Sequence, residues 1–373
     1  MTKMTTSLCA ITLAFSAFTA HAADDVIRLG NLKLAHFAAV SYIKEIAPKC
    51  GITVQESTFA KGLDVMQAMI AGELDVGATA SEAAISGRAK GVPIYIVAGF
   101  AKGGARLLAR PDLGIKTVKD LKGKKVGVTR GSIQEVLLAA ELSQNGLSSA
   151  DVPGKDVQII YLSYPDLNQA LLGKNVDAIM QTEPQSSQAI NKNFGVEIIK
   201  PYDTPIGSPI RTLVMTEKFY KERRPLAEKF MRCFVEATKT FIDDKAVAQK
   251  YVTQTIFKGQ ITADDFNDAI DNSGYTYDIT AAHIQITTDV MAQHGIGKMM
   301  PPPVAKDWVK TDLLDQAKKS LNVKKGVDNE SFSMARHWRR FNCASAADWL
   351  VAAGRANGMG ECANFALALC RGT

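Results

Sequence analysis

The sequence predicts an α/β protein with largely parallel sheets. Segments with the patterns of strands and helices alternate along the body of the chain, which is typical of this class. The 373 residues are 46% hydrophobic and 22% charged, a globular balance with room for two packed cores. The alternation occurs in two sets, and Pro111 and Gly114 mark the change from one to the other. We therefore expect two α/β units.

The first set contains a helix with a clear apolar face. In "GLDVMQAMIAG", the residues Leu63, Met66, Met69 and Ile70 recur at helical spacing. A further helix is expected to begin at about Ser81. The other segments are the strand "VIRLGNL", the helix "AAVSYIKEIAPKCG", and the strands "ITVQEST", "LDVGAT" and "VPIYIVAGF".

The second set starts with the strand-like "KKVGVTRGS" and continues as a helix up to Gly146. It then contains the strand "VQIIYL", the helix "DLNQALLG", the strand "VDAIMQT", a helix after Pro184 and the strand "GVEIIK". The apolar pieces "ARLLAR" and "PIRTLVMT" are predicted to be paired crossings between the units. From about Glu217 to Lys325 the chain is mostly helical. We expect these helices to complete the first unit, which would then be discontinuous.

The first 22 residues are predicted to be a cleaved secretory signal. The apolar stretch "LCAITLAFSAF" is too short to span a bilayer, and "TAHA" ends in an A-x-A site. No other segment reaches transmembrane length, so we expect a soluble, exported mature protein. Residues 326–373 differ in composition and form an atypical C-terminal extension. Read-through or a frameshift is the favoured origin of this extension, and a fusion or a docking module stays open.

The residues give little indication of catalysis, a metal site or nucleic-acid binding. The net charge of +6 is scattered, and the five histidines lack metal-ligand spacing. In the main body the cysteines are Cys50 and Cys233, which either form a disulfide or remain two buried thiols. We therefore expect no catalytic residues, no cofactor, no metal and no nucleic-acid partner.

The stretch "GVTRGSIQEVLLAAEL" places glycine and serine where a strand becomes a helix. Gly127 and Gly131 are too close for a phosphate loop, and no lysine follows them. Ser132 lacks the flanking glycines of a hydrolase elbow. Ser132 and Glu135 match the S-x-x-E capping box, so the stretch is either a capped helix or an anion site built on free amides.

A second corner carries the same pattern. Thr79 and Glu82 form a T-x-x-E box after another strand. Both corners fall at the carboxyl ends of strands, where open α/β sheets bind ligands. If the units face each other, both helix N-termini point into one cleft and can hold a small anion. Arg130 is expected to add a charged contact there.

Three more polar residues are candidates for the same cleft. Glu183 ends a strand in "MQTEPQ", where it either caps the next helix or contacts a ligand. Asn31 and His36 follow the first strand in a similar position, although a lone histidine is more often a surface or core residue.

The order and spacing of several runs resemble a known family. "DLKGKKVGVTRGSIQEVLLAAELSQNGLSSADV", "DLNQALLGKNVDAIMQTEPQSSQA" and "AKGLDVMQAMIAGELDVGATASEAAISGRAKGVPIYIVAG" are similar to the periplasmic solute-binding proteins of ABC importers for nitrate, sulfonates, taurine and related compounds. The likeness covers roughly Val26 to Lys325. It implies a cleft lined at the positions of Asn31, Thr79, Ser81, Gly131, Ser132 and Glu183.

The resemblance also implies the architecture and the role. The expected fold is the type II two-lobed periplasmic-binding-protein fold, in which each lobe is a mostly parallel sheet flanked by helices and two strands form the hinge. Lobe 1 would comprise residues 23–110 and 215–325, and lobe 2 residues 111–214. The protein would be a periplasmic monomer that captures a small anionic solute of the sulfonate, taurine or nitrate kind. It would deliver this solute to an inner-membrane permease driven by an ATPase.

Two alternatives belong to other classes. An enzyme on the same fold, acting on a pyrimidine or related small molecule, would need a reactive lysine, histidine or cysteine set at the cleft. An effector-sensing regulator would need an N-terminal DNA-binding helix pair, where the chain has its predicted signal. We therefore expect a binding protein rather than an enzyme.

Overall fold

The computed structural model describes residues 26–323. The predicted signal and the predicted C-terminal extension therefore lie outside the described residues. Within them, the strands form two separate sheets flanked by helices, which confirms the predicted α/β class and the two-lobed fold. Part of each sheet is parallel, as the alternation of strands and helices predicts.

Eleven strands lie within residues 26–323: β1 Val26–Leu32, β2 Thr53–Phe59, β3 Val76–Ala80, β4 Ile94–Lys102, β5 Ala105–Ala109, β6 Lys124–Val128, β7 Ser149–Ala150, β8 Val157–Tyr161, β9 Ala178–Thr182, β10 Val196–Ile199 and β11 Ile210–Thr216. The same residues contain thirteen α-helices: α1 Ala38–Ile46, α2 Gly62–Ile70, α3 Ser81–Ala89, α4 Ile133–Gln144, α5 Tyr164–Leu172, α6 Gln185–Asn191, α7 Glu217–Glu222, α8 Arg224–Asp243, α9 Lys245–Lys250, α10 Ala263–Asn272, α11 Ala281–Gln293, α12 Ala305–Trp308 and α13 Asp312–Ser320. A π-helical segment, Tyr251–Ile256, continues α9.

Each sheet combines parallel and antiparallel pairs. In the first sheet the order is β2-β1-β3-β11-β4, with β1 parallel to β2 and β3 and with β11 antiparallel to β3 and β4. In the second sheet the order is β10-β5-β9-β6-β8-β7, with β6 parallel to β8 and β9 and with β5 antiparallel to β9 and β10. Strand β11 reaches the first sheet directly from the second, without a helical crossover, and this accounts for its antiparallel pairing.

The chain passes between the sheets twice. Strand β4 of the first sheet is followed after Gly103 and Gly104 by β5 of the second, and residues 200–209 lead from β10 back to β11. Both glycines have positive φ, at 79° and 76°, which glycine adopts without steric cost. "ARLLAR" and "PIRTLVMT" are thus not the crossings themselves. Strand pairing changes sheet at Gly103–Gly104 and within 200–209, rather than at the expected 110 and 214.

Helix α2 buries a slightly different face from the predicted one. Met66 and Met69 are buried as expected, whereas Ile70 is 53% exposed. Leu63, in the first turn, is only partly buried, and it lies next to the second unit. The face that packs on the first sheet therefore begins after the first turn of the helix.

A disulfide joins Cys50 and Cys233, with 5.8 Å between their Cα atoms. Cys50 lies in the 3-10 turn after α1, and Cys233 lies in the middle of α8. This geometry is that of an ordinary disulfide and decides between the two alternatives that the sequence leaves open. The bridge ties α8 to the first unit.

Helix α10 was not predicted, and it packs against the second unit. The Asn191 side chain at the end of α6 donates to Asp265 Oδ1 of α10 at 2.9 Å. Arg106 of β5 forms an ion pair with Asp268 of α10 at 2.8 Å. The apolar side of α10 packs on the first unit, because Phe266 and Ala269 belong to the same buried cluster as Ala38 and Ala39 of α1. Helix α10 therefore lies on the first unit and also contacts the second through its polar side.

Candidate functional site

The ends of two helices face each other between the units. Helix α3 begins at Ser81 directly after β3, and α4 begins at Ile133 shortly after β6. A Cβ added to Gly131 would lie 2.8 Å from Leu63 Cδ1 of the first unit, so the two units touch at this corner. Parallel strands bring such helix N-termini to the carboxyl edge of a sheet, as the sequence predicts for both corners.

Ser132 caps α4 as predicted. Its hydroxyl accepts from the Glu135 amide at 3.3 Å and donates to the Thr129 carbonyl at 2.6 Å. Glu135 does not complete the capping box on the Ser132 amide, because its carboxylate accepts from the Gly131 amide instead. Gly131 has a φ of 70°, and this backbone conformation brings its amide within reach of the carboxylate.

The predicted T-x-x-E box at the other corner is not formed. The N-cap of α3 is Ala80, without a side-chain capping bond, and Thr79 still belongs to β3. Thr79 is held in the strand because it pairs with Thr212 of β11. The buried atoms Thr79 Oγ1, Ser81 Oγ and Glu82 Oε2 consequently have no hydrogen-bond partner within residues 26–323.

A buried arginine outside the predicted set lies close to Glu82. Arg211 of β11 is 1% exposed; its Nε donates to His36 Nε2 at 3.1 Å and its Nη2 to the Gly104 carbonyl at 3.3 Å. Nη1 has no hydrogen-bond partner among the described residues. A single arginine inside the apolar run "PIRTLVMT" is the signal by which it could have been found.

His36 is neutral in this environment. Burial, followed by the charge of Arg211, lowers the pKa of His36 well below its ordinary value of 6.5. Because Nε2 accepts from Arg211, the proton of the neutral ring lies on Nδ1. Nδ1 is buried and has no partner within the described part of the chain, so His36 presents a free N–H donor.

Glu82 brings a carboxylate into the same region. Burial raises its pKa from 4.5 to about 7, although Arg211 and the amides of Glu82, Ile133 and Ala83 oppose this by favouring the charged form. Burial also lowers the pKa of Arg211. A carboxylate and a guanidinium are therefore buried close together, each with one atom that lacks a partner.

The second unit contributes a tyrosine to this region. The Tyr164 hydroxyl of α5 donates to Gln134 Oε1 at 2.8 Å, and Ser132, Glu82 and Arg211 all influence its pKa. Burial and the nearby Glu82 charge raise this pKa, so the hydroxyl remains protonated. We call the side chains of this region the corner cluster: His36, Ser81, Glu82, Ser132, Tyr164 and Arg211.

A groove of about 750 Å³ runs between the units beside the corner cluster. Tyr164 lines the groove as well as the cluster. The other side chains around it are partly aromatic and partly amide or lysine, and they include Lys33, Phe59, Gln185, Lys192, Phe194 and Phe257.

Three predicted ligand residues have their side chains engaged elsewhere. Asn31 is buried and bonds to Ser41 and Glu56 of the first unit, both at 2.9 Å. Arg130 has a 64% exposed side chain, which pairs with Asp151 and stacks on Tyr161. These contacts hold the guanidinium at the surface of the second unit.

Glu183 is the third of these residues. It is fully buried, pairs with Arg106 at 3.0 Å and accepts from Asn272 at 2.8 Å and from Ser187 at 2.7 Å. Burial raises the pKa of Glu183, and the charge of Arg106 opposes that shift. Its oxygens are thus used to join β9, β5 and α10. Thr79 lies on the face of the first sheet that packs against Gly62 of α2, opposite to the face of Arg211. His36, Ser81, Gly131 and Ser132 are the predicted residues that lie at this corner.

No group of three or more His, Cys, Asp and Glu side chains within residues 26–323 could hold a metal ion. Within the same range, none of the helices combines the length and the apolar character needed to cross a membrane.

Comparison with known sequences gives a family match and named relatives. Residues 22–256 match the model of the NMT1-like family. An Escherichia coli (strain K12) protein named for binding aliphatic sulfonates is 29% identical over 246 residues, which cover 64% of this chain and 72% of that protein. A Bacillus subtilis (strain 168) protein of the same name is 28% identical over 211 residues, which cover 55% of this chain and 61% of that protein.

Comparison with solved structures shows the fold. The alkanesulfonate-binding protein of Xanthomonas axonopodis pv. citri, bound to MOPS, has a TM-score of 0.65 at 17% identity, over 77% of this chain and 98% of its own. The periplasmic nitrate-binding protein of Synechocystis PCC 6803 has a TM-score of 0.65 at 15% identity, over 80% of this chain and 90% of its own. At these identities the likeness concerns the fold alone.

Proposed function

Because this chain belongs to the NMT1-like family and has the fold of periplasmic binding proteins, we propose that it is the solute-binding component of an ABC-type importer. In this role it captures a small anionic solute between its lobes in the periplasm and delivers it to an inner-membrane permease with its ATPase. The relatives compared above are binding proteins rather than enzymes, and this supports a binding role without catalysis.

We infer that the solute is an anion from one observation: Nη1 of the buried Arg211 has no hydrogen-bond partner among the described residues. A buried guanidinium without a full set of partners is costly, and an anion that bonds to it removes this cost. Two other buried groups of the corner cluster that lack a partner among the described residues can also donate: the hydroxyl of Ser81 and the Nδ1 proton of His36. The N-termini of α3 and α4 add their positive dipole ends.

The groove beside Tyr164 supports a route for the solute from the surface to this cluster. Sulfonate and nitrate oxygens accept several hydrogen bonds at once, which suits the set of donors in the corner cluster. We therefore propose that Arg211, Ser81, His36, Gly131 and Ser132 form the binding site, and that closure of the lobes encloses the acidic group.

Thermal unfolding with a ligand panel tests this function. Ethanesulfonate, 2-aminoethanesulfonate, MOPS, nitrate and propionate are added to the purified protein, and at least one should raise the unfolding temperature in a saturable way. Arg211→Gln should bind that compound at least about 10-fold more weakly, because a charge-assisted hydrogen bond is worth roughly 1.5–3 kcal/mol.

Arg130→Gln is the matched control, since Arg130 is exposed and paired with Asp151. It should bind with the affinity of the unaltered protein. The circular dichroism spectrum and ligand-free unfolding temperature of Arg211→Gln establish that it is folded. Equal affinity of the two variants, or no stabilisation by any compound, would count against the proposed site and the proposed function respectively.

A further inference from the structure

Glu82 does not fit a site for a plain anion. The other free groups of the corner cluster are donors, whereas Glu82 Oε2 is a buried acceptor without a partner within residues 26–323. Glu82 is 4% exposed, so water does not solvate its charge freely. At a pH above about 7 the carboxylate is charged, and an anion placed next to Arg211 then meets a like charge in a desolvated site, which disfavours binding.

The groups that face Glu82 come from several elements. Arg211 of β11 favours the charged form of Glu82. Tyr164 of α5 is also near, because the charge of Glu82 raises the pKa of its hydroxyl. His36, before α1, is neutral and bonded to Arg211. The amides of Ile133 and of the first turn of α3 also stabilise the carboxylate. These contacts leave Oε2 free, so a ligand can supply its missing donor.

We propose that Glu82 determines specificity by requiring an ammonium or similar donor on the ligand beside its acidic group. The solute is then a small zwitterion, an amino-sulfonate or an amino acid, whose acidic end bonds to Arg211 and the Ser81 hydroxyl and whose amino end bonds to Glu82. This inference rests on the proposed function, because it assigns a ligand class to the same site.

A zwitterion gives a partner to both unpaired atoms: its acidic group accepts from Arg211 Nη1, and its ammonium group donates to Glu82 Oε2. A site built to bond a polar group of the substrate rejects analogues without that group, because its own buried group is left unpaired. Removing the amino group from the ligand should therefore weaken binding much more than the loss of one exposed contact. The carboxylate at α3 thus acts as a filter against nitrate and simple sulfonates.

Matched ligand pairs test the filter by isothermal titration calorimetry at pH 8, where Glu82 is charged. The pairs are 2-aminoethanesulfonate with ethanesulfonate, 3-aminopropanesulfonate with propanesulfonate, and 3-aminopropionate with propionate. In the unaltered protein at least one amino compound should bind more than about 10-fold tighter than its partner, since each factor of ten is about 1.4 kcal/mol. Glu82→Gln should reduce this preference to less than about 3-fold.

Glu141→Gln is the matched control variant. Glu141 is also buried, and its pKa is also raised to about 7, but it lies in the last two turns of α4 rather than in the corner cluster. This variant should keep the full preference for the amino compound. If the unaltered protein binds the acids without an amino group as tightly as their amino-substituted partners, the specificity inference is overturned and the anion-binding function stands. Failure of every compound to bind would overturn both.

Discussion

At the scale of single residues, Glu82 makes stability depend on pH in a defined direction. Its pKa in the folded protein is about 7, above the ordinary 4.5, because the carboxylate is buried. Between these two values the folded state binds more protons than the unfolded state, so the stability contributed by this group falls as the pH rises from 4.5 to 7. Glu82→Gln removes the titration. Its free energy of unfolding relative to the unaltered protein should therefore rise across this window, by on the order of 3 kcal/mol, and stay constant above it.

Urea unfolding of both proteins between pH 4 and pH 8 measures this difference. His36 acts in the opposite direction, since its lowered pKa causes a loss of stability as the pH falls below 6.5. It is present in both proteins, so its contribution largely cancels in the difference. Two parallel curves would show that Glu82 does not titrate near neutral pH in the folded protein.

At the scale of elements, the closest approach of α2 to the segment before α4 is that of Leu63 to Gly131. Gly131→Ala places a Cβ 2.8 Å from Leu63 Cδ1 and also at a φ of 70°. The positive φ should destabilise the protein by about 1 kcal/mol. The clash should in addition keep the lobes apart and lower the affinity for the ligand by roughly 10-fold, since cross-lobe contacts would form less completely.

Gly146→Ala separates the two effects. Gly146 follows the other end of α4 with a φ of 71°, and its added Cβ would meet nothing within 4 Å. This variant should show the same loss in urea unfolding and an unchanged dissociation constant. The double variant Gly131→Ala, Leu63→Ala should recover affinity. A similar loss of affinity in both single glycine variants would show that the corner contact is not what matters.

For the whole molecule, the order of elements could be predicted better than the site. Alternating apolar segments are local features, so most strands and helices up to β10 were predicted within a few residues. The site depends on pairing between distant segments, which no local pattern encodes. Arg211 reaches the corner because β11 lies antiparallel between β3 and β4, next to Ala80. Thr79 stays in its strand for the same reason, and so its hydroxyl is free rather than a helix cap.

The predicted site residues whose side chains bond elsewhere show the same dependence on distant partners. Glu183 meets Arg106 and the unpredicted α10, and Asn31 meets Glu56 of β2. In both cases polarity at the carboxyl end of a strand was a sound indication of a polar environment. Whether the partner is a ligand or another side chain is decided by which element arrives there, and the sequence around Glu183 or Asn31 does not contain that information.

The disulfide should stabilise the molecule without contributing to the site. It joins residues that are 183 positions apart and connects α8 to the turn after α1, away from the corner cluster. Cross-links over long loops restrict the unfolded chain most, so removal of this bridge should cost roughly 5 kcal/mol. For a domain of this size that corresponds to a decrease of roughly 5–10 °C in the unfolding temperature. Reduction with dithiothreitol and the double variant Cys50→Ser, Cys233→Ser should both show it by calorimetry. The ligand dissociation constant should remain that of the oxidised protein, whereas weaker binding after reduction would mean that the bridge also positions the lobe for the ligand.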